Sequence, residues 1–397
     1  MNTTGSTPPD HEFPLADTRP EPRRPERRRR GGRGGMLLSA AALALALATA
    51  VLVTYVVLTD ELGGGNDTAV AAQTEPASSA ATGHEGHAAM TEAPVGGETV
   101  EPFERVDPNV PAVPAGKIKK FKLDVYEHVT RVSDDLQPAR IWSYAVNGVF
   151  HRGTGVSTPM VVNEGDRVEI TLNNGLQKEM QVQYPHSVDF HSAEVAPNQD
   201  YKTIGPGETY TFRFTADHPG VFMYHCATDP VLMHTAAGMS GMMLVKPKNL
   251  APVDRELWIT QQEYYLGPKS GDNADLAKAE AKQPDVIAFN GYANQYSKAP
   301  IAVKPHERIR MYVLNAGPSI WTAFHVIGTV FDRTVVEGTV GHSVQTINLA
   351  PSQGGWVEFT LERKGTYPFV DHAFADMGKG AAGVLAAGVP AKPGMGH

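Results

Sequence analysis

The segment IGPGETYTFRFTADHPGVFMYHC, from Ile204 to Cys226, contains two short runs in which apolar and polar residues alternate, with a turn between them. A later segment, LAPSQGGWVEFTLERKGTYPFVDHA, from Leu349 to Ala373, repeats this arrangement. Alternation with a period of two is typical of half-buried β-strands, and proline and glycine mark the turns that separate them. The two segments therefore predict that one β-structure occurs twice in the chain.

A second pair of segments supports this duplication. TPMVVNEGDRVEITLNN (Thr158–Asn174) is matched by APIAVKPHERIRMYVLNAG (Ala299–Gly317), and each predicts an edge strand, a charged turn and an alternating strand. Short runs rich in Val, Ile, Thr, Phe and Tyr fill this part of the chain and are typical of antiparallel sandwiches. Asp272–Lys282 is the only stretch that looks helical. The sequence predicts an all-β fold of two tandem Greek-key β-sandwich domains, at 117–247 and 251–390.

The N-terminal region has a different composition. Residues 1–35 hold eight arginines, and 36–58 form an uncharged apolar run, close to the ~20 residues that span a bilayer. Basic residues that flank a transmembrane helix stay on its cytoplasmic side. We therefore expect a cytoplasmic Arg-rich tail, a single-pass anchor in the cell membrane and an extracytoplasmic remainder. The alternative is a cleaved signal peptide, but the run is longer than a usual signal core and no small-residue cleavage site closes it.

Residues 59–116 are rich in Gly, Ala, Thr, Pro and Glu and predict a flexible linker. His84, His87 and Met90 lie in this linker and are interpreted as incidental, because no fold would hold them around a metal. After residue 35 the chain carries 27 basic and 38 acidic residues, a net charge of −11. This acidic balance argues against a nucleic-acid partner, which would need a basic surface.

Cys226 is the only cysteine, so it cannot form a disulfide within the chain. In an exported protein such a cysteine is a free thiol, an intermolecular bridge or a metal ligand. Its neighbours favour a metal ligand, because YHCATDPVLMHTAAGM (Tyr224–Met239) offers a cysteine, a histidine and a methionine from one loop between strands. PHSVDFH (Pro185–His191) adds two more histidines. Two histidines, a cysteine and a weak axial methionine are the ligands of a blue-copper site.

Side-chain alternation divides these ligands between two metals. Neighbouring residues on a strand point to opposite faces, so His225 and Cys226 are expected to bind different ions. By the same parity, His186 and His191 face opposite ways, and Asp189 shares the side of His191. We therefore predict one copper site with the ligands His186, Cys226, His234 and Met239. His191 and His225 are left for a second metal.

The second metal needs a further ligand, and the repeat matches His372 to His225. Three imidazoles leave an open fourth position that admits water or a substrate. Such a site also suits zinc, but the peptide bond between His225 and Cys226 offers electrons a short covalent route that only a redox metal such as copper could use. In the second copy of the repeat, Ala373 stands at the position that matches Cys226. Only the first domain can therefore form a metal site with a thiolate ligand.

These motifs resemble those of the two-domain copper-containing nitrite reductases, and the resemblance extends from about Lys117 to Gly388. PHSVDFH, YHCA, the eight-residue step from Cys226 to His234, FHVIGTVFD and VDHAF look like segments of that family, particularly of its membrane-anchored short-loop class. The resemblance implies two cupredoxin domains, one type 1 and one type 2 copper per subunit, and reduction of nitrite to nitric oxide. It also implies an external electron donor, either a small cupredoxin or a cytochrome c.

The resemblance further implies roles for individual residues. The family works as a homotrimer, in which His372 of one subunit would complete the type 2 site that His191 and His225 of the next begin. Asp189 and His325 match the acid and base that deliver protons. Ile327 matches the apolar residue that shapes the nitrite pocket.

Two other functions compete with this one. A laccase-type multicopper oxidase needs several His-x-His pairs and a His-Cys-His run, and here Ala227 follows Cys226. A tethered electron carrier or copper-handling protein without efficient nitrite turnover would keep both metal sites, but it would have no use for a proton-delivering pair. The segments EVAPNQDY (Glu194–Tyr201) and AFADMGKGAAG, which follows His372, depart from the family pattern close to the expected pocket.

Overall fold

The computed structural model describes residues 100–392, which belong to one compact unit and consist mainly of β-strands. The strands of the first half are β1 (Ile118–Thr130), β2 (Ala139–Val146), β3 (Met160–Asn163), β4 (Arg167–Asn173), β5 (Asp189–Phe190), β6 (Thr209–Thr215), β7 (Gly220–His225) and β8 (Ser240–Lys246). Those of the second half are β9 (Arg255–Tyr264), β10 (Val286–Phe289), β11 (Ala299–Val303), β12 (Arg308–Gly317), β13 (Thr322–Val326), β14 (Arg333–Val336), β15 (Thr339–Gly341), β16 (Ile347–Leu349), β17 (Gly354–Thr360), β18 (Gly365–Asp371) and β19 (Ala382–Ala387).

The strands form four sheets, two in each half. In the first half the strand orders are β2-β1-β4-β6 and β3-β8-β7-β5, and in the second half they are β10-β9-β12-β17-β14-β15 and β11-β19-β18-β13-β16. The prediction of an all-β fold is thus confirmed. The two segments matched by the repeat both begin with an edge strand, β3 or β11, which pairs in parallel with the last strand of its half. Each sheet contains one parallel pair, which alternation along a single strand cannot predict.

Apolar side chains fill the space between the sheets of each half. Leu123, Val125 and Ile170 are fully buried in the first half, and Ile259, Val313 and Phe359 are fully buried in the second. A third cluster contains residues of both halves, among them Leu244, Trp258 and Tyr312. Burying each large apolar side chain contributes about 1.5–3 kcal/mol. The shared cluster therefore stabilises the contact between the two halves.

The short helices are less regular than the strands. The helical prediction at Asp272–Lys282 corresponds to α3, and the side chain of Asp275 accepts a hydrogen bond from the Lys278 backbone N–H at its start. The sequence did not predict the other short helices, because segments of four to six residues are too short to show a helical period. The helices are α1 (Pro197–Asp200), α2 (Val231–Ala236), α3 (Leu276–Glu280), α4 (Gln295–Lys298) and α5 (Phe374–Met377), with a 3₁₀ turn at Lys178–Met180.

The prediction of a linker over 59–116 is wrong for its last part. From residue 100 the chain runs along the folded part: the Glu101 N–H donates to the Val129 carbonyl at 2.9 Å, and the Trp258 N–H donates to the Pro108 carbonyl at 2.9 Å. Val106 is buried. Composition could not show this, because most of the contacts are made by the backbone.

The other N-terminal predictions fall outside the described residues. These are the tail at 1–35, the anchor at 36–58 and the histidines and methionine at His84, His87 and Met90. Between residues 100 and 392, none of the helices has the length and apolar character needed to cross a membrane.

Candidate metal centre

Strand β7 ends at His225, and the side chains of His225 and Cys226 point to opposite sides of the sheet. Cys226 is fully buried, and its Sγ lies 3.2 Å from His234 Nδ1. His225 is partly exposed, and its Nε2 lies 3.2 Å from His191 Nε2. Adjacent residues of an extended chain point opposite ways. One peptide bond therefore joins two separate groups of potential ligands.

The buried group consists of His186, Cys226 and His234. The Nδ1 atoms of the two histidines lie 3.1 Å apart, and the Cys226 sulfur lies 3.9 Å from His186 Nδ1. Within residues 100–392 this is the only set of three His, Cys, Asp or Glu side chains whose ligand atoms all lie within 4.8 Å of one another. Two backbone hydrogen bonds with Ile204 hold His186 in place. The Ser187 N–H points at the sulfur from 3.4 Å.

Met239 lies next to this group and is fully buried in the same apolar cluster as Cys226. Its N–H donates to the His234 carbonyl at 3.1 Å, and its carbonyl accepts from the Cys226 N–H at 3.0 Å. The sequence predicted a loop between Cys226 and Met239, whereas the structure contains helix α2 there, and His234 lies on that helix. Gly238, which precedes Met239, has a φ of +112°, a value that favours glycine.

The chemistry of the buried group fits copper. Burial raises the pKa of the Cys226 thiol, but hydrogen bonds with His186 and His234 outweigh this and hold that pKa well below its usual value. The thiolate is the form that binds metals. The Nδ1 atom of His234 faces both the Cys226 sulfur and His186 Nδ1. A thiolate, two imidazoles and a nearby thioether are the donors that copper electron-transfer sites use.

The partly exposed group contains His191 and His225. The Nδ1–H of His225 donates to the carbonyl of Cys226 at 2.9 Å, which leaves Nε2 as the ligating nitrogen. Partial burial, and after it the neighbouring His225, lowers the pKa of His191. A lowered pKa favours the neutral imidazole, which is the form that binds a metal. Asp189 pairs directly with His225 across β5 and β7, so it lies on this same face.

His372 and His325 lie together in the second half of the chain. Their ring centroids are 5.5 Å apart, and the His372 N–H donates to the Ala323 carbonyl at 2.8 Å. The Nδ1–H of His325 donates to the Gln345 carbonyl, which leaves Nε2 free for other contacts. Ile327 is 37% exposed. Within the described part of one chain, His372 does not join His191 and His225 in a group of three ligands.

Sequence reasoning missed several residues around these groups. Trp142 contacts the rings of both His186 and His234, with centroid distances of 5.2 and 4.9 Å. Glu127 is fully buried on β1, and its Oε1 lies 3.0 Å from His186 Nε2. A carboxylate between Val125 and Val129 on an otherwise apolar strand face was a signal in the sequence.

Tyr201 was also missed, although it lies in the segment that departs from the family pattern. Its hydroxyl contacts both the N–H and the carbonyl of Phe190 at 3.2 Å. Burial and the neighbouring Asp189 carboxylate raise the pKa of Tyr201 to about 12. The replacement segment therefore packs a phenol close to the predicted proton-delivering acid.

Comparison with known proteins identifies the family. Residues 139–250 match the family model described as multicopper oxidase. Over 276 residues, covering 67% of each chain, the sequence is 36% identical to a copper-containing nitrite reductase of Neisseria gonorrhoeae. Two solved structures are similar. A copper nitrite reductase from Nitrosomonas europaea is 30% identical with a TM-score of 0.61, covering 71% of this chain and 98% of that one. A copper-containing nitrite reductase from Thermus scotoductus SA-01 is 31% identical with a TM-score of 0.60, covering 69% and 63%.

The residues that match the family model, 139–250, include His186, His191, His225, Cys226 and His234. The two solved structures have a similar fold over 71% and 69% of this chain. This similarity agrees with the cupredoxin-like fold that the sequence motifs implied. The chain belongs to the copper-containing nitrite reductases.

Proposed function

We propose that this protein reduces nitrite to nitric oxide, using one electron and two protons and releasing one water. The observation that carries this proposal is the direct bond between His225 and Cys226, whose side chains reach two different ligand groups. The cofactor is copper, which when bound supplies a one-electron redox couple and a Lewis acid for a nitrite oxygen. An external one-electron donor, either a small cupredoxin or a cytochrome c, would deliver the electron.

Side-chain alternation along β7 supports a division of the ligands between two coppers. His186, Cys226, His234 and Met239 would hold the type 1 copper, since the donor atoms of the first three converge and Met239 is buried in the same apolar cluster as Cys226. His191 and His225 would hold the type 2 copper together with His372. Three imidazoles leave a fourth position of the type 2 copper open, and nitrite would bind there.

Protons would come from Asp189 and His325. Asp189 lies opposite His225 on the face that carries the type 2 ligands, where its carboxyl group could donate a proton to a leaving oxygen of nitrite. The Gln345 carbonyl orients the ring of His325 and leaves Nε2 available for a second proton. Ile327 would exclude water from one side of the substrate.

We also propose a homotrimer in which neighbouring subunits share each type 2 site. His372 and His325 lie on a surface with unusually exposed apolar side chains, such as Trp321 at 62% and Phe374 at 65%. An apolar patch of this kind is typical of a protein interface. A second copy of the chain would cover it and bring His191 and His225 to His372.

Mixing two inactive variants tests the shared site. His372→Ala and His225→Ala chains should each lack nitrite reduction. Coexpressed, they form some interfaces in which the first chain supplies His191 and His225 and the second supplies His372. Activity should then return in part. If each site belonged to a single chain, the mixture would stay inactive.

For the N-terminal region we propose that 36–58 anchor the protein in the cell membrane, with the Arg-rich tail in the cytoplasm and the catalytic domains outside. The length of the apolar run and the position of the arginines support this arrangement. Cell fractionation of the full chain, compared with a chain that starts at residue 59, tests it. The anchor is excluded if both forms are found in the soluble fraction.

Anaerobic turnover tests the reaction itself. With a reduced donor and nitrite, the full chain should release nitric oxide, which an electrode detects. Asp189→Asn should lower kcat roughly 100-fold, because an amide cannot donate the proton, while the thiolate-to-copper absorption stays unchanged. Asp200→Asn, on the nearby helix α1, is the control and should keep full activity. Reoxidation of the blue copper without nitric oxide would instead indicate an electron carrier.

A further inference from the structure

Glu127 is a buried carboxylate on the apolar face of β1. Its side chain has no exposed surface, and its neighbours on the same strand face are Val125 and Val129. Across the sheet it pairs with Trp142, which contacts both histidines of the buried ligand group. Burying a carboxylate costs free energy unless hydrogen bonds and an opposite charge compensate it. The groups around Glu127 should therefore account for its position.

One carboxylate oxygen of Glu127 receives three contacts. The backbone N–H groups of Gln183 and Tyr184 both donate to Oε1 at 2.9 Å, and His186 Nε2 lies 3.0 Å from the same atom. Because Oε1 is an acceptor for the two amides, Nε2 of His186 is the donor in the third contact. The other ring nitrogen, Nδ1, then carries the lone pair and faces Cys226 and His234.

The second half of the chain contains a matched residue, Glu263 on β9. Its Oε1 accepts from the N–H groups of Ser319 and Ile320 at 2.9 and 2.6 Å. Its Oε2 accepts a hydrogen bond from the Tyr265 hydroxyl. Glu127 and Glu263 therefore share one role, because each accepts hydrogen bonds from two backbone amides in its half of the chain. The contact with a histidine is made only by Glu127, whose Oε2 is buried without a partner.

We propose that Glu127 is a positioning residue for the type 1 copper, which fixes the ring of His186 and favours the oxidised over the reduced ion. This inference rests on the type 1 site proposed above. With a thiolate and a carboxylate, the buried group is neutral around Cu(II) and carries one negative charge around Cu(I). A net buried charge is unfavourable, so the carboxylate stabilises Cu(II). Carboxylates hydrogen-bonded to a ligating histidine also make it a stronger ligand.

The reduction potential of the type 1 copper tests this role. Glu127→Gln keeps an oxygen acceptor for the two amides and for His186, but it removes the negative charge. We expect the ratio of Cu(I) to Cu(II) at a fixed potential to rise at least tenfold, which corresponds to about 59 mV for one electron. Glu263→Gln is the matched control and should leave the potential unchanged. Equal potentials in wild type and Glu127→Gln, or equal shifts in both variants, would overturn the proposal.

A measurement on the unmodified protein covers the case in which Glu127→Gln does not fold. In the full chain labelled with ¹⁵N-histidine and loaded with Cu(I), which is diamagnetic, the Nε2 proton of His186 should resonate at the low field that a hydrogen bond to a carboxylate causes. An Nε2 proton at the field of an N–H group without such a hydrogen bond would contradict the proposal. The thiolate-to-copper absorption of the oxidised protein shows whether the type 1 site exists, and so it distinguishes a wrong role for Glu127 from a wrong proposed function. If wild-type protein lacked that absorption, the type 1 site itself would be wrong, whatever the role of Glu127.

Discussion

Gly238 packs directly against the backbone of Trp142. A Cβ atom at Gly238 would lie 2.9 Å from the Trp142 carbonyl oxygen and 3.2 Å from a methyl group of Ile141. Trp142 also contacts the rings of His186 and His234. The contact with Gly238 therefore connects the backbone before Met239 with the two histidines of the proposed type 1 site.

Gly238→Ala should therefore destabilise the protein and alter the type 1 site. The positive φ alone costs roughly 1–2 kcal/mol for a residue with a Cβ, and the close approach to Trp142 adds to this. Chemical unfolding and the thiolate-to-copper absorption measure the two effects. Gly207→Ala is the control, since Gly207 also has a positive φ, +83°, but its Cβ would meet nothing within 4 Å. Equal losses of stability in the two variants would show that the contact with Trp142 is unimportant.

His372→Ala should remove one copper signal and spare the other. The substitution removes an imidazole that we propose as a type 2 ligand, whereas all the proposed type 1 ligands lie in the first half of the chain. Electron paramagnetic resonance should show loss of the type 2 signal, with the thiolate-to-copper absorption unchanged. Loss of both signals would mean that the division of ligands is wrong.

Ile327→Ala should weaken nitrite binding more than it slows the reaction. Ile327 is 37% exposed and follows His325 by two residues, and in the proposed pocket a smaller side chain would admit water next to nitrite. Removing such an apolar contact costs about 1–3 kcal/mol, so steady-state kinetics should show a higher KM with a smaller change in kcat. Val340→Ala, on the exposed hairpin of β14 and β15, is the control and should leave KM unchanged.

His128 should make the folded protein sensitive to acid. This histidine is 2% exposed, and no carboxylate of the described chain pairs with its ring. Burial lowers the pKa of His128 from its usual 6.5 to about 4. Between these two values the unfolded chain binds a proton that the folded chain does not. The free energy of unfolding should therefore fall as the pH drops from 6.5 towards 4, by roughly 3 kcal/mol in total.

His128→Leu should flatten this dependence on pH. Denaturant unfolding at several pH values between 4 and 7 measures it. Val340→Ala, on the exposed hairpin of β14 and β15, changes no ionisable group and should keep the wild-type slope. An unchanged slope in His128→Leu would assign the acid sensitivity to other groups.

The sequence predicted most of the fold because alternation and internal repetition reflect which strand faces are buried. It identified the all-β class and the two edge strands, β3 and β11. It could not predict the parallel pairs, since the direction of a neighbouring strand leaves no mark on the alternation of one strand. It also missed the packing of residues 100–110, where hydrogen bonds from the backbone do not depend on side-chain type.

For the candidate site, the spacing of ligands was more informative than their surroundings. The opposite orientation of His225 and Cys226 follows from strand geometry alone, and the structure has the same arrangement. The helix that carries His234 was too short to recognise. Glu127 and Trp142 act through contacts between distant segments, and only the folded chain shows which histidine each one touches.

His372 does not join His191 and His225 within the described part of one chain, so in the proposed shared site assembly is a condition of turnover. A lone subunit would keep every proposed type 1 ligand and could accept an electron, but it would lack a complete type 2 site at which to pass that electron to nitrite. Dilution below the dissociation constant of the subunits should thus convert the enzyme into a reversible electron store. The activity per subunit would then depend on protein concentration.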